Sequence, residues 1–189
     1  MSIKLDAKDR LIISMFAQNP DTPQEEIAKT LRISQPSVAV RIKKLREVGA
    51  LRNLSGICPL AMGLTIAKVD ISTNNSSALL NMFRGCPYFA NGFTVSGKHN
   101  LCLFFISENI ATLGSIVNGH IRTHPSVTDV DFNIVISSEK EFVVPTVLTP
   151  EKTSEPPCGI DIQCKNCQMF REKKCMGCPS TGDYQGWFY

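Results

Sequence analysis

Residues 27–51, IAKTLRISQPSVAVRIKKLREVGAL, decide the fold of the front of this chain. They predict a short helix, a tight connection and a longer basic helix that Ser34 caps and Gly49 ends. Apolar residues recur along the longer helix at intervals of four and three, and they form its buried stripe: Val38, Ile42 and Leu45. This order is the helix-turn-helix pattern, whose last helix enters the major groove of DNA.

The residues before this segment predict a first helix, capped by Asp6 and running to about Gln18. Thr22 is expected to cap the second helix, and Glu25 to close a capping box with it. The apolar face expected for the first helix consists of Leu5, Leu11, Ile12, Met15 and Phe16. Residues 1–53 are therefore expected to form a domain of three helices.

Positive charge is concentrated in this first domain. Residues 1–53 carry ten lysines and arginines against six acidic residues, a net charge of +4. Residues 54–148 carry five against six, and residues 149–189 carry five of each. A basic domain favours a polyanion such as double-stranded DNA as its partner, although a solvated basic face explains the charge alone equally well.

The outward-pointing side chains of the longer helix are candidates for DNA contact. Gln35 carries an amide and Arg41 a forked donor group, and both can read base edges. The residues better suited to phosphates are Ser37, Lys43, Lys44 and Arg46. The predicted DNA-binding residues are Gln35, Ser37, Val40, Arg41, Lys43, Lys44 and Arg46. The alternative is that the three helices serve as a protein-binding or purely structural module.

This segment resembles the helix-turn-helix of the Lrp/AsnC (feast/famine) family of transcription regulators. The resemblance rests on a Ser-x-x-Ser-Val, Arg-Ile, Leu and Gly arrangement, found here at Ser34, Ser37, Val38, Arg41, Ile42, Leu45 and Gly49. It implies a sequence-specific DNA-binding regulator with an effector domain after the helix-turn-helix.

Residues 65–148 follow a linker at residues 54–64 and predict a small domain of strands and helices. The expected strands are Thr65–Ile71, Phe89–Ser96, Leu101–Ser107 and Thr128–Ser137, with helices from Ser76 to Phe83 and from Ile110 to Ile121. The third strand is nearly all apolar, so we expect it at the centre of the sheet. The order β-α-β-β-α-β is the ferredoxin-like arrangement, and the fold class is α+β.

This middle domain resembles the effector domain of the same family, in which sheets pair into homodimers or larger assemblies and small molecules bind near turns between subunits. The family commonly has a Gly-Asp-Tyr-Asp-like stretch in the turn after the second strand. The candidate effector-binding residues at that turn here are Gly97, Lys98, His99 and Asn100. Because a lysine and a histidine replace acidic residues, the turn suits an anionic ligand, or no ligand, better than an amino acid.

The last segment is rich in cysteine. Residues 149–157, TPEKTSEPP, are typical of a proline-rich linker, and residues 158–189 space their cysteines as C-x5-C-x2-C-x7-C-x2-C. Two C-x-x-C pairs can present four thiolates to one metal centre. The candidate ligands are Cys164, Cys167, Cys175 and Cys178, with Cys158 as the spare.

The fifth cysteine, the compact spacing and the Cys178-Pro179 ending favour an iron–sulfur cluster, with a structural zinc as the alternative. Disulfides or uncombined thiols are less in keeping with a reducing compartment. The charged N-terminus lacks a signal-peptide block, and no run of about 18 apolar residues suggests a membrane span. A cytoplasmic protein is therefore expected.

Together these features predict a DNA-binding transcription regulator, not an enzyme, whose tail couples redox state or metal supply to DNA binding. Its expected partners are double-stranded DNA, further copies of the chain and a small-molecule effector. The alternative is an enzyme like the sirohaem decarboxylases, which resemble the Lrp/AsnC family in both domains. Lys98, His99 and Arg122 would then hold tetrapyrrole carboxylates, although no acid–base pair is visible in the sequence.

Overall fold

The computed structural model describes residues 4–159 and 164–189. The chain divides into two compact units, Met1–Leu54 and Ser55–Tyr189. The first corresponds to the expected three-helix domain, and the second contains both the middle domain and the described part of the cysteine-rich tail. No helix in the described ranges is long and apolar enough to cross a membrane.

The first unit consists of three helices packed around a core of their own. They are α1 (Ala7–Gln18), α2 (Gln24–Leu31) and α3 (Gln35–Glu47). Asp6 caps α1 through a capping box with Asp9, and Ser34 caps α3, as the sequence predicts. The buried side chains of this core are Ile12, Ile27, Ala28, Leu31, Val38, Ile42, Leu45 and Leu51.

Two details of the first unit differ from expectation. Pro23 occupies the N-cap position of α2, and no side chain there accepts a hydrogen bond from the helix. The predicted capping box of Thr22 and Glu25 is therefore wrong. The Thr22 hydroxyl instead donates to the backbone carbonyl of Asn19 at 2.6 Å, where it closes the turn after α1. Leu11 is 40% exposed and does not belong to the core. Ile13, which was not predicted to face inward, packs against the core instead.

The second unit is built on a four-stranded antiparallel sheet in the order β2-β3-β1-β4. Its strands are β1 (Thr65–Thr73), β2 (Phe89–Thr94), β3 (Leu101–Ser107) and β4 (Val127–Ile134). This is the expected ferredoxin-like arrangement, with β3 in a central position. The second and fourth strands end earlier than predicted, at Thr94 and Ile134 rather than at Ser96 and Ser137.

Two helices cover one face of the sheet, namely α4 (Ser76–Phe83) and α5 (Ile110–Ile116). A π-helical turn, Val117–Ile121, continues α5. Ile110 is 53% exposed and takes no part in the core, contrary to the expected apolar face. The core between helices and sheet includes Ala67, Val69, Ile71, Leu79, Phe83, Leu101, Leu103, Phe105, Leu113, Ile116, Val117 and Ile121.

The described tail contains one short helix, α6 (Gln168–Arg171), after a 3-10 turn at Cys164–Asn166. The predicted linker is bonded to the tail, since the Thr153 amide donates to the Ser180 carbonyl at 2.7 Å. Lys152 Nζ likewise donates to the Pro179 carbonyl at 2.6 Å. Near the end of the chain, Phe188 is buried among Leu64, Ile66, Ile106 and Val144.

Candidate nucleic-acid interface and thiol cavity

The outer face of α3 presents most of the predicted DNA-binding residues to solvent. Val40 is 68% exposed. The other exposed candidates are Gln35, Ser37, Lys43, Lys44 and Arg46. Because Val38, Ile42 and Leu45 point into the core, Ser37, Val40, Lys43 and Lys44 lie on the opposite face of the helix, and Gln35 and Arg46 flank the buried stripe. A basic, exposed helix face of this kind can enter the major groove.

Arg41 differs from its neighbours because two carboxylates hold it. Its Nη1 atom donates to Asp6 Oδ2 at 2.8 Å and to Asp9 Oδ1 at 2.6 Å. The same two aspartates form the capping box of α1, so one cluster ties the start of α1 to the middle of α3. The Asp9 amide, followed by the Arg41 guanidinium, lowers the pKa of Asp6 below its usual value.

The sequence identified Asp6 only as a helix cap and gave Asp9 no role. Their ion pairs offset the positive charge of Arg41, which leaves phosphate contacts to the lysines and Arg46. Lys43 Nζ lies 3.9 Å from Glu47 Oε1, a weak exposed pair. No ion pair involving Lys44 or Arg46 occurs within 4.0 Å among the described residues. These two residues are therefore the strongest candidates for phosphate contact.

The predicted effector turn lies against acidic residues that the sequence did not connect with it. Lys98 Nζ lies 2.7 Å from Asp129 Oδ2 on β4. His99 Nε2 lies 3.4 Å from the same oxygen and 3.7 Å from Asp131 Oδ2. The Lys98 ammonium, followed by the His99 ring, lowers the pKa of Asp129 below its usual value.

Asn100 holds this turn in place. Its side-chain amide donates to the Thr73 carbonyl at 2.7 Å, and its side-chain oxygen accepts from the Thr73 amide at 3.0 Å. Gly97 adopts φ +123°, a conformation that favours glycine. Carboxylates of β4 therefore lie beside the lysine and histidine of the turn, an arrangement that the sequence did not predict.

The cysteines of the tail surround a single cavity of about 120 Å³. Residues outside the tail also line it, among them Cys86 from the turn after α4 and His120 from the π-helical turn that continues α5. The tail residues with a thiol at the cavity are Cys158, Cys164, Cys167, Cys175 and Cys178. All five candidate cysteines therefore line one cavity, and one wall of it belongs to the middle domain.

Hydrogen bonds from the middle domain hold the second C-x-x-C pair at the cavity. Between the two cysteines, the Met176 amide donates to Thr112 Oγ1 at 3.0 Å, and the Gly177 carbonyl accepts from the Tyr88 hydroxyl at 2.6 Å. Gly177 has φ +79°, and a Cβ atom there would lie 2.9 Å from the Asp183 carbonyl oxygen. Only glycine fits this position without strain.

Burial favours the protonated form of three thiols at the cavity, those of Cys86, Cys164 and Cys178. It raises the pKa of Cys86 to about 12 and also raises the pKa values of Cys164 and Cys178. Burial lowers the pKa of His120, whose Nδ1 atom is buried without a hydrogen-bond partner among the described residues. A neutral imidazole therefore lies at the wall beside the thiols.

The donor set fits a thiophilic metal, because cysteine sulfur is the preferred ligand of zinc and of iron–sulfur clusters. In the described ranges, no three cysteine, histidine or acidic side chains are grouped as ligands of one metal ion. The thiols instead lie around the cavity. A single water molecule needs about 10–15 Å³ of such volume, so this cavity has room for a group of several atoms.

Comparisons with known proteins agree with the first unit and with the sheet of the second. The AsnC-type helix-turn-helix domain matches residues 5–46. The transcriptional regulator AzlB of Bacillus subtilis is 23% identical over 150 residues, which cover 76% of this chain and 96% of that protein. The HTH-type transcriptional regulator LrpA of Pyrococcus horikoshii is 26% identical and is covered over 99% of its length.

Solved structures show the same fold. Escherichia coli AsnC superposes with a TM-score of 0.63 at 18% identity, covering 75% of this chain and 99% of that one. The regulator NMB0573 of Neisseria meningitidis, solved as an L-Met complex, superposes with a TM-score of 0.62 at 19% identity. Since these matches span nearly all of each relative but three quarters of this chain, about a quarter of this chain has no counterpart in them.

Proposed function

Because this chain belongs to the Lrp/AsnC family of transcription regulators, we propose that it controls transcription by placing α3 in the major groove of DNA. The single observation that carries the proposal is the exposed basic face of α3. Gln35 and Val40 are exposed on α3 and would meet base edges, and the exposed Lys44 and Arg46 would meet phosphates.

The test uses a duplex selected from a random-sequence library with the full-length protein. Affinity for that duplex should fall linearly with salt on logarithmic axes. Each lost phosphate contact should lower the slope by about 0.9, so Lys44→Ala and Arg46→Ala should each reduce it. Lys29→Ala is the matched control, because Lys29 is an exposed lysine of α2 paired with Glu25 at 2.8 Å. Failure to enrich any duplex at low salt would contradict the proposal.

The structure gives little support to the enzyme alternative. Arg122 Nη2 donates to the Val130 carbonyl at 3.1 Å, and Lys98 is paired with Asp129. Arg122 is therefore engaged with the backbone, and Asp129 beside Lys98 would repel a tetrapyrrole polycarboxylate, whereas it suits a ligand that also carries a cation. Titration with a tetrapyrrole should leave its absorption spectrum unchanged, and a spectral shift would favour the enzyme.

We also propose that the tail binds an iron–sulfur cluster rather than zinc. A tetrahedral zinc site draws four sulfurs to about 2.3 Å from one ion, which places them about 3.8 Å apart. Here, thiols on five tail positions surround a cavity of about 120 Å³. Cluster irons take their thiolates at separate corners, which suits donors spread around a cavity. This proposal is in keeping with a cytoplasmic protein, since a reducing compartment preserves thiols.

Protein purified without oxygen should be brown and contain both iron and acid-labile sulfide. A colourless protein with one zinc per chain would exclude the cluster. The coupling of the tail to regulation is tested separately, by comparing cluster-loaded and metal-free protein on the selected duplex. Equal affinity of the two forms would restrict the tail to a structural role.

The chain is also proposed to form homodimers through the face of the sheet opposite α4 and α5. Phe93 is 49% exposed on this unit and packs edge-on against Phe104 at 6.2 Å between ring centroids. Phe93→Asp should shift the mass measured by light scattering from a dimer or larger assembly toward the monomer. An unchanged mass would place the contact elsewhere.

The turn at residues 97–100 is proposed to bind a small zwitterion, with its carboxylate near Lys98 and its ammonium near Asp129. The 2.7 Å pair between these residues supplies both charges at one place. This revises the sequence-based expectation of an anion. Thermal shifts with amino acids should exceed those with dicarboxylates, and the shift with amino acids should disappear in the Asp129→Asn variant.

A further inference from the structure

The thiol cavity has one wall that the cysteine-rich tail does not supply. Cys86 belongs to the turn after α4, more than 70 positions before the first tail cysteine, yet it lines the same cavity as all five of them. We propose that Cys86 is a thiolate ligand of the cluster, so that the metal site is shared between the tail and the effector domain. This inference rests on the iron–sulfur proposal above.

The backbone around Cys86 places it firmly at this wall. The Cys86 amide donates to the Phe83 carbonyl at 3.0 Å, and the Phe89 amide donates to the Cys86 carbonyl at 3.0 Å. The neighbouring Gly85 lies against the linker, since a Cβ atom there would be 3.2 Å from Pro157 Cβ. The turn that carries Cys86 thus approaches the segment that carries Cys158.

The tail is also hydrogen-bonded to the two residues that follow Cys86. The hydroxyl of Tyr88 donates to the Gly177 carbonyl at 2.6 Å, inside the second C-x-x-C pair. At the end of the chain, the Tyr189 hydroxyl donates to the Pro87 carbonyl at 2.6 Å. These bonds hold the backbone of the tail against the turn that carries Cys86.

A shared site has a consequence that a self-contained tail module lacks. Metal–thiolate bonds from both sides would add to the hydrogen bonds that dock the tail, so binding of the cluster would stabilise the docked state. Loss of the cluster would weaken the contact between the tail and the turn after α4. The state of the cluster would thereby act on the effector domain directly.

The experiment compares the full-length wild type with Cys86→Ala after anaerobic reconstitution with ferrous iron and sulfide. Cys58→Ala and Cys102→Ala are matched controls, because both cysteines belong to the same unit and neither lines the cavity. Cys86→Ala should lose at least half of the iron per chain or release it to a chelator at least tenfold faster. The controls should match the wild type.

Iron content and release rate unchanged in Cys86→Ala would overturn the proposal. If that variant does not fold, Cys86→Ser decides. A changed electron paramagnetic resonance spectrum of its reduced cluster supports ligation, and a wild-type spectrum excludes it. A wild type that binds no iron would instead refute the cofactor proposed above, so the two failures are distinguishable.

Hydrogen exchange supplies a readout that does not depend on colour. In the wild type, loading with iron and sulfide should slow exchange in residues 164–189 and in residues 84–88 together. In Cys86→Ala the protection of residues 84–88 should be lost. Equal protection of that turn in both proteins would contradict a shared site.

Discussion

The three-helix unit and the cysteine-rich tail are held together in different ways. The helices bury apolar side chains against one another, and Ile12, Ile27 and Val38 are fully enclosed within residues 5–51. The described tail buries Phe170 and Phe188, and it docks through hydrogen bonds to Tyr88, Thr112 and other residues far earlier in the chain. The first unit carries its own core, whereas the tail depends on contacts with the middle domain.

A truncation in the core of the first unit should test its independence most strongly. Ile27 is fully buried, so Ile27→Ala should cost about 2–5 kcal/mol, enough to unfold much of a small three-helix unit. Hydrogen exchange under native conditions should show faster exchange in residues 5–51 and unchanged exchange in residues 65–134. Val40→Ala, at a position that is 68% exposed, is the control. Destabilisation of both units together would show that they are not independent.

Loss of one docking bond should destabilise the tail without unfolding the sheet. Tyr88→Phe removes the buried hydroxyl that donates to the Gly177 carbonyl, and an unsatisfied buried acceptor costs about 1–3 kcal/mol. Limited proteolysis should then cut within residues 164–189 more rapidly than in the wild type. Thr128→Val removes a hydroxyl bond to the Ser72 carbonyl elsewhere in the same unit and should leave the tail resistant. A tail equally resistant in Tyr88→Phe would contradict the dependence on docking.

These differences explain what the sequence could predict. The stripe of Val38, Ile42 and Leu45 is visible because a helix repeats its contacts every three to four residues. Thr22 was misassigned because a threonine hydroxyl can cap a helix or close the preceding turn, and the sequence does not distinguish the two. The order of a helix-turn-helix followed by a ferredoxin-like domain was therefore predictable, whereas the hydrogen bonds at the ends of the helices were not.

Contacts between distant residues left no signal in the sequence. The spacing of the tail cysteines predicts that they come together, but nothing in it indicates that Cys86 joins them. In the same way, Lys98 and Asp129 are paired across 31 positions, so a count of charges within the turn missed the acid beside it. Both omissions arise because tertiary packing, and not local pattern, brings these side chains into contact.

Arg41 tests whether the first unit also depends on a distant contact. The ion pairs with Asp6 and Asp9 are partly exposed and screened by solvent, so Arg41→Gln should lower the unfolding temperature only slightly. Because its charge is already offset, the salt dependence of DNA binding should keep its slope, in contrast to Lys44→Ala. A slope reduced by about 0.9 in Arg41→Gln would show that Arg41 leaves the aspartates to bind phosphate.

The smallest expected effect concerns how the stability of the second unit falls at acidic pH. The Lys98 ammonium lowers the pKa of Asp129, so the unfolded chain binds more protons at acidic pH than the folded one. The resulting stability is present above the ordinary pKa of 3.8 and is lost as the pH falls through the lowered value. The unfolding temperature should therefore fall less between pH 6 and acidic pH in Asp129→Asn than in the wild type. Glu151 is exposed, so the control Glu151→Gln should show the same pH dependence as the wild type. High salt should reduce the difference in unfolding temperature between Asp129→Asn and the wild type, since the Lys98–Asp129 pair lies at the surface.

If the unfolding temperature of Asp129→Asn fell with acid as steeply as that of the wild type, this pair, unlike the docking bonds of the tail, would contribute nothing to folding.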